Sequence, residues 1–167
     1  MAADGRSLTI AEASTPAHYA DARRLFTAYA ESLPFDLDFQ GFAAELAGLP
    51  GAYAPPRGCI LLAMRDGEAL GCVALRPLEE AGLCEMKRLY VQPAARGTGL
   101  GRRLAEAVTE RAGTLGYSHM RLDTVAGMTA ANRLYGSLGF RVTAPYCHNP
   151  LADARFYELT LVGEGEA

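Results

Sequence analysis

The chain has 167 residues, 50% of them apolar and 21% charged, and a formal net charge of −3. That is the length of one domain with ample apolar surface for a core, which excludes a disulfide-dependent miniprotein and a largely disordered chain. The acidic balance carries no electrostatic footprint for nucleic acid.

One domain is expected over residues 1–167, with its core at about 8–162. Met1–Leu8 lacks a basic start followed by an apolar core, so no secretory leader is expected. Leu8–Ala13 reads as a first strand. Thr15-Pro16 is an N-cap followed by proline at the first helical position, opening a helix to about Ser32 with Tyr19, Ala22, Phe26 and Tyr29 at helical spacing. A short helix is expected over Asp38–Leu46, and the Pro- and Gly-rich stretch Leu49–Gly58 is a loop within the domain. Three strands follow, Cys59–Arg65, Ala69–Arg76 and Leu83–Val91, the first two joined by a hairpin signal at Asp66-Gly67. The longest apolar run, Cys59–Met64, is far short of the ~20 residues that cross a bilayer, so no membrane span is expected.

After Pro93 comes a glycine turn, Gly97–Gly101, then an amphipathic helix with Leu100, Leu104, Val108, Ala112 and Leu115 on one stripe, stopped at Gly116. His119–Thr124 reads as a strand, Thr129–Leu138 as a helix, and Phe156–Leu161 as a last strand. Early hairpins followed by a βαβ unit predict an α/β fold with one mixed sheet packed by helices. Cys59, Cys72, Cys84 and Cys147 lie far apart without a CxxC pair, so reduced thiols are expected, with no metal site and a cytoplasmic location. Lys87 is the single lysine among 16 basic residues, a bias that suggests a bacterial, GC-rich source.

Arg96-Gly97-Thr98-Gly99-Leu100-Gly101 sits where a strand gives way to a helix. Glycines let the backbone approach a ligand closely, and the first amides of a helix lack partners inside it. With Arg96, Arg102 and Arg103 at the same end, this is the chemistry of a phosphate or pyrophosphate site; the alternative is a turn that merely packs helix on strand. Neither a P-loop nor a GxGxxG fingerprint fits, since Arg102 stands where each needs another residue.

The RxxGxG spacing after Glu85-Met86-Lys87-Arg88-Leu89-Tyr90-Val91-Gln92-Pro93, with Ala131-Asn132-Arg133-Leu134-Tyr135-Gly136-Ser137-Leu138-Gly139-Phe140 downstream, resembles the GNAT N-acetyltransferase superfamily over nearly the whole chain. The resemblance implies a central, mostly antiparallel twisted sheet with splayed strands and about four helices. It implies an acetyl-CoA-dependent N-acetyltransferase acting on an amine by direct attack in a ternary complex. A small-molecule acceptor is expected ahead of a protein or peptide one, and a non-catalytic acyl-CoA sensor is the rival from another class. A homodimer is a common arrangement for such proteins.

Residue by residue, the resemblance assigns coenzyme A contacts to the amides of Gly97, Thr98, Gly99, Leu100 and Gly101, with Arg96 and Arg102 as side-chain contacts. It assigns the pantetheine arm and thioester to Leu89, Tyr90 and Val91, the Leu89 N–H facing the acetyl carbonyl. Glu85 stands where several members carry a general base. An amine of pKa ~10.4 is only about one part in ~2,500 neutral at pH 7, a cost of ~4.6 kcal/mol without such a group. The alternative for Glu85 is an ion pair with Lys87 or an arginine; only as a base does Glu85→Gln leave folding normal while removing turnover. Tyr135 matches the tyrosine that protonates the departing thiolate, against a packing role beside Leu134 and Phe140. Met128 occupies a position where many members have asparagine, and Asn132 does not inherit that role. For the acceptor, Phe35 with Asp36, Asp38 and Phe39, and Tyr146 and His148 in the Pro145–Pro150 loop, are candidates, set against helix caps and a surface turn.

Overall fold

The computed structural model describes residues 7–161. The expectation about a leader therefore falls, apart from Ser7 and Leu8, outside the described residues, as does position 162 of the expected core. In chain order the elements are β1 (Thr9–Glu12), α1 (Pro16–Ser32), α2 (Phe42–Ala47), β2 (Cys59–Arg65), β3 (Glu68–Pro77), β4 (Leu83–Val91), α3 (Leu100–Thr114), β5 (His119–Val125), α4 (Thr129–Ser137), β6 (Arg141–Val142) and β7 (Ala154–Thr160). They form one seven-stranded sheet ordered β1-β2-β3-β4-β5-β7-β6, antiparallel throughout except where β4 meets β5. This is the expected mixed α/β fold with four helices. Among the described residues no helix is long and apolar enough to cross a membrane.

The sheet is buried on both faces. α3 lays Leu100, Leu104, Val108 and Ala112 against Leu61, Val73, Met86, Met120 and Leu122, and α4 adds Tyr135 on the same side. α1 covers the opposite face with Ala22, Leu25 and Phe26, packed on Ile60, Leu62, Cys72 and Tyr53. Local chemistry sets several boundaries. The Thr15 side chain accepts the His18 amide (3.2 Å) with Pro16 next in line, so α1 starts where its cap requires. Asp66 (φ 53°) and Gly67 (φ 75°) make the left-handed pair that matches hairpin twist.

Three expectations shift. The helix expected over Asp38–Leu46 is a short 3-10 turn, Asp38–Gln40, then α2, because Gly41 adopts a left-handed conformation between them. The last strand begins at Ala154, two residues early. The optional further strand after the last helix, which has no bounds in the sequence reading, is β6, a two-residue exposed edge with Val142 74% exposed, too short to show a period.

A bulge in β4 organises everything that follows. β3 pairs Cys72 with Tyr90 and Ala74 with Lys87, so Val73 alone faces both Arg88 and Leu89, and Arg88 takes φ 61°. Before the bulge Cys84 and Met86 point into the α3-side core; after it Leu89 and Val91 do, while Tyr90 joins the α1 side. The conformation costs a non-glycine residue ~1–2 kcal/mol. Arg88 offsets this with two hydrogen bonds to Glu45 (2.9 and 3.0 Å), one to Gln40 (2.8 Å), and its guanidinium over the Phe42 ring.

Candidate active site

β4 and β5 begin as a parallel pair and then part. Pairing runs Leu83↔His119, Cys84↔Met120, Glu85↔Arg121 and stops, although β4 continues to Val91 and β5 to Val125. The unpaired length of β4 borders an open groove of about 580 Å³, walled by Leu89, Tyr90, Val91 and Arg96 on one side and by residues 127–131 and Leu134 on the other. Asn132, the neighbour of that wall, donates to the Val125 and Met128 carbonyls (both 2.9 Å), tying the start of α4 to the end of β5. Met128 itself lines the groove.

The glycine turn closes one end. Gly97 (φ 80°) and Gly99 (φ 77°) are left-handed, and a Cβ on either would meet nothing within 4 Å, so this backbone faces open space. The first backbone bond of α3 runs from the Arg103 amide to the Gly99 carbonyl (3.1 Å), leaving the amides of Gly97 through Arg102 without a backbone acceptor among the described residues. Leu100 buries its side chain, so its amide is what it can offer a ligand. Arg96 donates from Nε to the Val91 carbonyl (3.0 Å) and lies over the Tyr90 ring. Arg102 pairs with Glu106 (3.2 Å) and donates to the Ser137 hydroxyl. Thr98 turns its hydroxyl back to the Ala95 carbonyl (2.7 Å).

At the vertex of the split lies a narrower cleft, about 30 Å³, whose polar lining is Tyr29, Gln40, Lys87, Arg88, Asp123 and Tyr135. Leu89 and Tyr29 line both cleft and groove, so the two meet there. Tyr135 packs edge-on to Phe140 and against Tyr157. Burial, with the Tyr29, Asp123 and Tyr157 groups nearby, pushes its phenol well above the ordinary tyrosine value, so it is a proton donor across the working pH range. Asp123 sits on β5 beyond the last paired residue. Its Oδ2 accepts from Asn149 Nδ2 (3.1 Å) and Cys147 Sγ (3.8 Å).

Glu85 is not part of this lining. It is wholly buried, with Oε1 accepting from Arg76 Nε (2.7 Å), Oε2 accepting from the Tyr146 hydroxyl (2.6 Å), and Lys87 Nζ 3.8 Å from Oε1. Burial and the Glu85 carboxylate push the Tyr146 phenol upward, which keeps it a donor. Tyr146 thus reaches the edge of the site through Glu85, its ring against Phe156 and beneath Arg121. His148 is exposed and borders neither groove nor cleft. Phe35 lies in a separate depression with Leu37, Asp38 and Phe42, where Asp36 accepts the Asp38 amide (2.7 Å) as a turn cap.

Glu85, Asp123 and Cys147 bring ligand atoms within 4.8 Å of one another, but both Glu85 oxygens are already bonded. Burial pushes the Cys147 thiol up to about 12. Cys84, beside Glu85 in sequence, is buried in the α3-side core with its thiol also pushed up to about 12, so it presents no thiolate to a thioester. The sequence reading missed Asp123, which alternates among Met120, Leu122 and Thr124 as any polar strand residue would. It saw Lys87 only as a partner for Glu85.

A sequence model described as the acetyltransferase (GNAT) family matches residues 17–140. An uncharacterized N-acetyltransferase of Schizosaccharomyces pombe is 40% identical over 156 residues, 93% of this chain and 96% of that protein. A crystal structure described as an acyl-CoA N-acyltransferase, from Klebsiella pneumoniae, superposes with a TM-score of 0.72 at 30% identity, covering 94% of this chain and 99% of that one. An acetyltransferase from Salmonella typhimurium, described with its cofactor acetyl-CoA, shares the fold with a TM-score of 0.68 at 24% identity, covering 95% and 96%.

Proposed function

Because the chain belongs to the acetyltransferase (GNAT) family and is an N-acyltransferase, we propose that it transfers the acetyl group of acetyl-CoA to the amine of a small molecule in a ternary complex. The observation that carries this reading is the split between β4 and β5, which opens an unpaired strand edge leading from a turn of unbonded amides to a cleft holding a carboxylate and a protonated phenol.

The donor fits what is present. The amides of Gly97 through Arg102 suit a pyrophosphate, with Arg96 and Arg102 beside them, and the open edge at Leu89, Tyr90 and Val91 suits an extended arm. Bound there, acetyl-CoA supplies an activated acetyl thioester. In the cleft, the Leu89 N–H is the donor for the acetyl oxygen, Asp123 removes the proton from the acceptor nitrogen, and Tyr135 Oη gives its proton to the departing sulfur. Glu85 acts as the buried anion that holds Arg76, Lys87 and Tyr146 in place. The cleft is narrow and half open, bordered by Tyr29 and Gln40, which suits a small acceptor reaching in from its mouth. The four free thiols suit a reducing cytoplasm.

Coenzyme A release against a panel of small amines tests the reaction: turnover with at least one is expected, and tight acetyl-CoA binding with no release on any would overturn it in favour of a binding-only domain. Gly99→Val should weaken acetyl-CoA binding by at least about tenfold, since it puts a β-branched residue in a left-handed conformation within the turn that carries the unbonded amides. Isothermal titration reads that change. Tyr135→Phe should lower kcat by about tenfold to a hundredfold with acetyl-CoA affinity retained. With the phenol held protonated by burial, wild-type activity should not decline through Tyr135 as pH rises to about 10. An equal loss of affinity and turnover would mark Tyr135 as a packing residue.

A further inference from the structure

The cleft contains a cation that the protein leaves without a hydrogen bond. Arg88 bonds Glu45 and Gln40 from all three of its nitrogens. Lys87, with only 8% of its side chain exposed, makes no hydrogen bond among the described residues; its ionic neighbour, Glu85 Oε1, is 3.8 Å away. Nor does Glu85 depend on it, because Arg76 and Tyr146 bond its two oxygens at 2.7 and 2.6 Å. An ammonium that keeps little water and has no protein acceptor is poorly solvated, and a ligand oxygen would complete it. Asp123 lines the same small cleft from the other strand of the split, offering the opposite charge.

We propose that the acceptor is an amine carrying a carboxylate a few bonds from its nitrogen, an amino-acid-like zwitterion whose carboxylate binds Lys87 Nζ while its nitrogen sits at Asp123. This rests on the acetyltransferase reading and narrows it. The chemistry balances. The acceptor ammonium gives one proton to Asp123 and its nitrogen then bonds to the acetyl carbon; the carbon–sulfur bond breaks, the sulfur keeps the electron pair and takes a proton from Tyr135, and the second proton shed by the nitrogen restores the Tyr135 phenol. The carboxylate is unchanged, so Lys87 contributes recognition and no chemistry. A simple alkylamine would leave Lys87 without a hydrogen-bond acceptor, as it is now.

The test uses the whole protein with saturating acetyl-CoA and common α-, β- and γ-amino acids, each paired with its carboxamide and its decarboxylated amine. The best free acid should exceed both analogues by at least tenfold in kcat/KM, as expected for one charge-assisted contact of about that strength. Lys87→Met should bring that ratio close to one, and Lys87→Arg should keep most of it. The ratio is taken within each protein, so a reduced folded fraction cancels. If Lys87→Met cannot be prepared, the wild-type ratio decides. Analogues acetylated as well as the acids would overturn the carboxylate requirement and leave the acetyltransferase reading standing. A Lys87→Met variant that keeps the wild-type ratio would show that Lys87 does not read the carboxylate, which also overturns the proposal. No release with any amine overturns both.

Discussion

Asp123→Asn should lower kcat for acetyl transfer by about 10²–10⁴-fold, the usual contribution of a positioned base. The side chain keeps its shape, and its carbonyl still accepts from Asn149, so melting temperature should stay within a few degrees of wild type. The sign of the pH dependence follows from the missing base. Without Asp123 the enzyme must await an amine that has lost its proton unaided, and that fraction grows tenfold per pH unit up to the amine's own pKa. The deficit should therefore be deepest near pH 6–7 and shrink toward pH 10, whereas wild type should vary less over the same range. Initial rates across pH 6–10 check this. A variant within threefold of wild type at every pH would remove Asp123 from the proton path.

Glu85→Gln should behave in the opposite way, costing the fold more than the chemistry. The carboxylate is buried beneath Arg76, Lys87 and Tyr146, and neutralising it strands the nearly buried Lys87 charge. Breaking a buried pair costs about 3–5 kcal/mol, and the low end applies because Arg76 is 36% exposed and can turn to water. About 3 kcal/mol corresponds to a fall of roughly 6–12 °C in melting temperature for a domain this size. Burial already holds the Lys87 ammonium below the ordinary lysine value, and the Glu85 charge opposes that shift. In the variant Lys87 sheds its proton more readily in the folded state than in the unfolded one. The unfolded chain then binds more protons, stability rises with pH up to the ordinary lysine value, and the deficit should narrow on that side. Turnover per folded molecule should drop less than about tenfold; a loss of a hundredfold or more would return Glu85 to the role of base.

What the sequence made legible is what local chemistry writes. Thr15-Pro16 announces a helix start, Asp66-Gly67 a hairpin, and Gly97–Gly101 a helix whose first amides are free, because each signal is complete within a few residues. The strands Cys59–Arg65 and Leu83–Val91 carried their own apolar runs and ended where expected. The divergence of β4 from β5 has no such local mark; it exists only once strands 36 residues apart are side by side and then cease to pair. Which of the two acids, Glu85 or Asp123, lines the cleft is illegible for the same reason. Both are acids on strands, and what separates them is Tyr146, 61 positions beyond Glu85, and Asn149, 26 beyond Asp123. Tyr146 could be suspected from its loop, but its destination could not. His148 and Phe35 shared that suspicion on loop chemistry alone, and the fold carried them elsewhere.

The surplus residue at Arg88 has a consequence for how this molecule can change. By shifting the alternation once, it divides a single strand into two panels: Lys87 faces the cleft where the proposed acceptor would sit, and Leu89 and Val91 face the groove proposed for the acyl donor. Exchanging side chains on one panel leaves the other's facing untouched, so selectivity for the acceptor can drift or be redesigned while the delivery machinery stays fixed. Deleting Arg88 would restore regular pairing opposite Val73 and leave each panel on its present face, at the loss of the contacts Arg88 makes with Glu45 and Gln40.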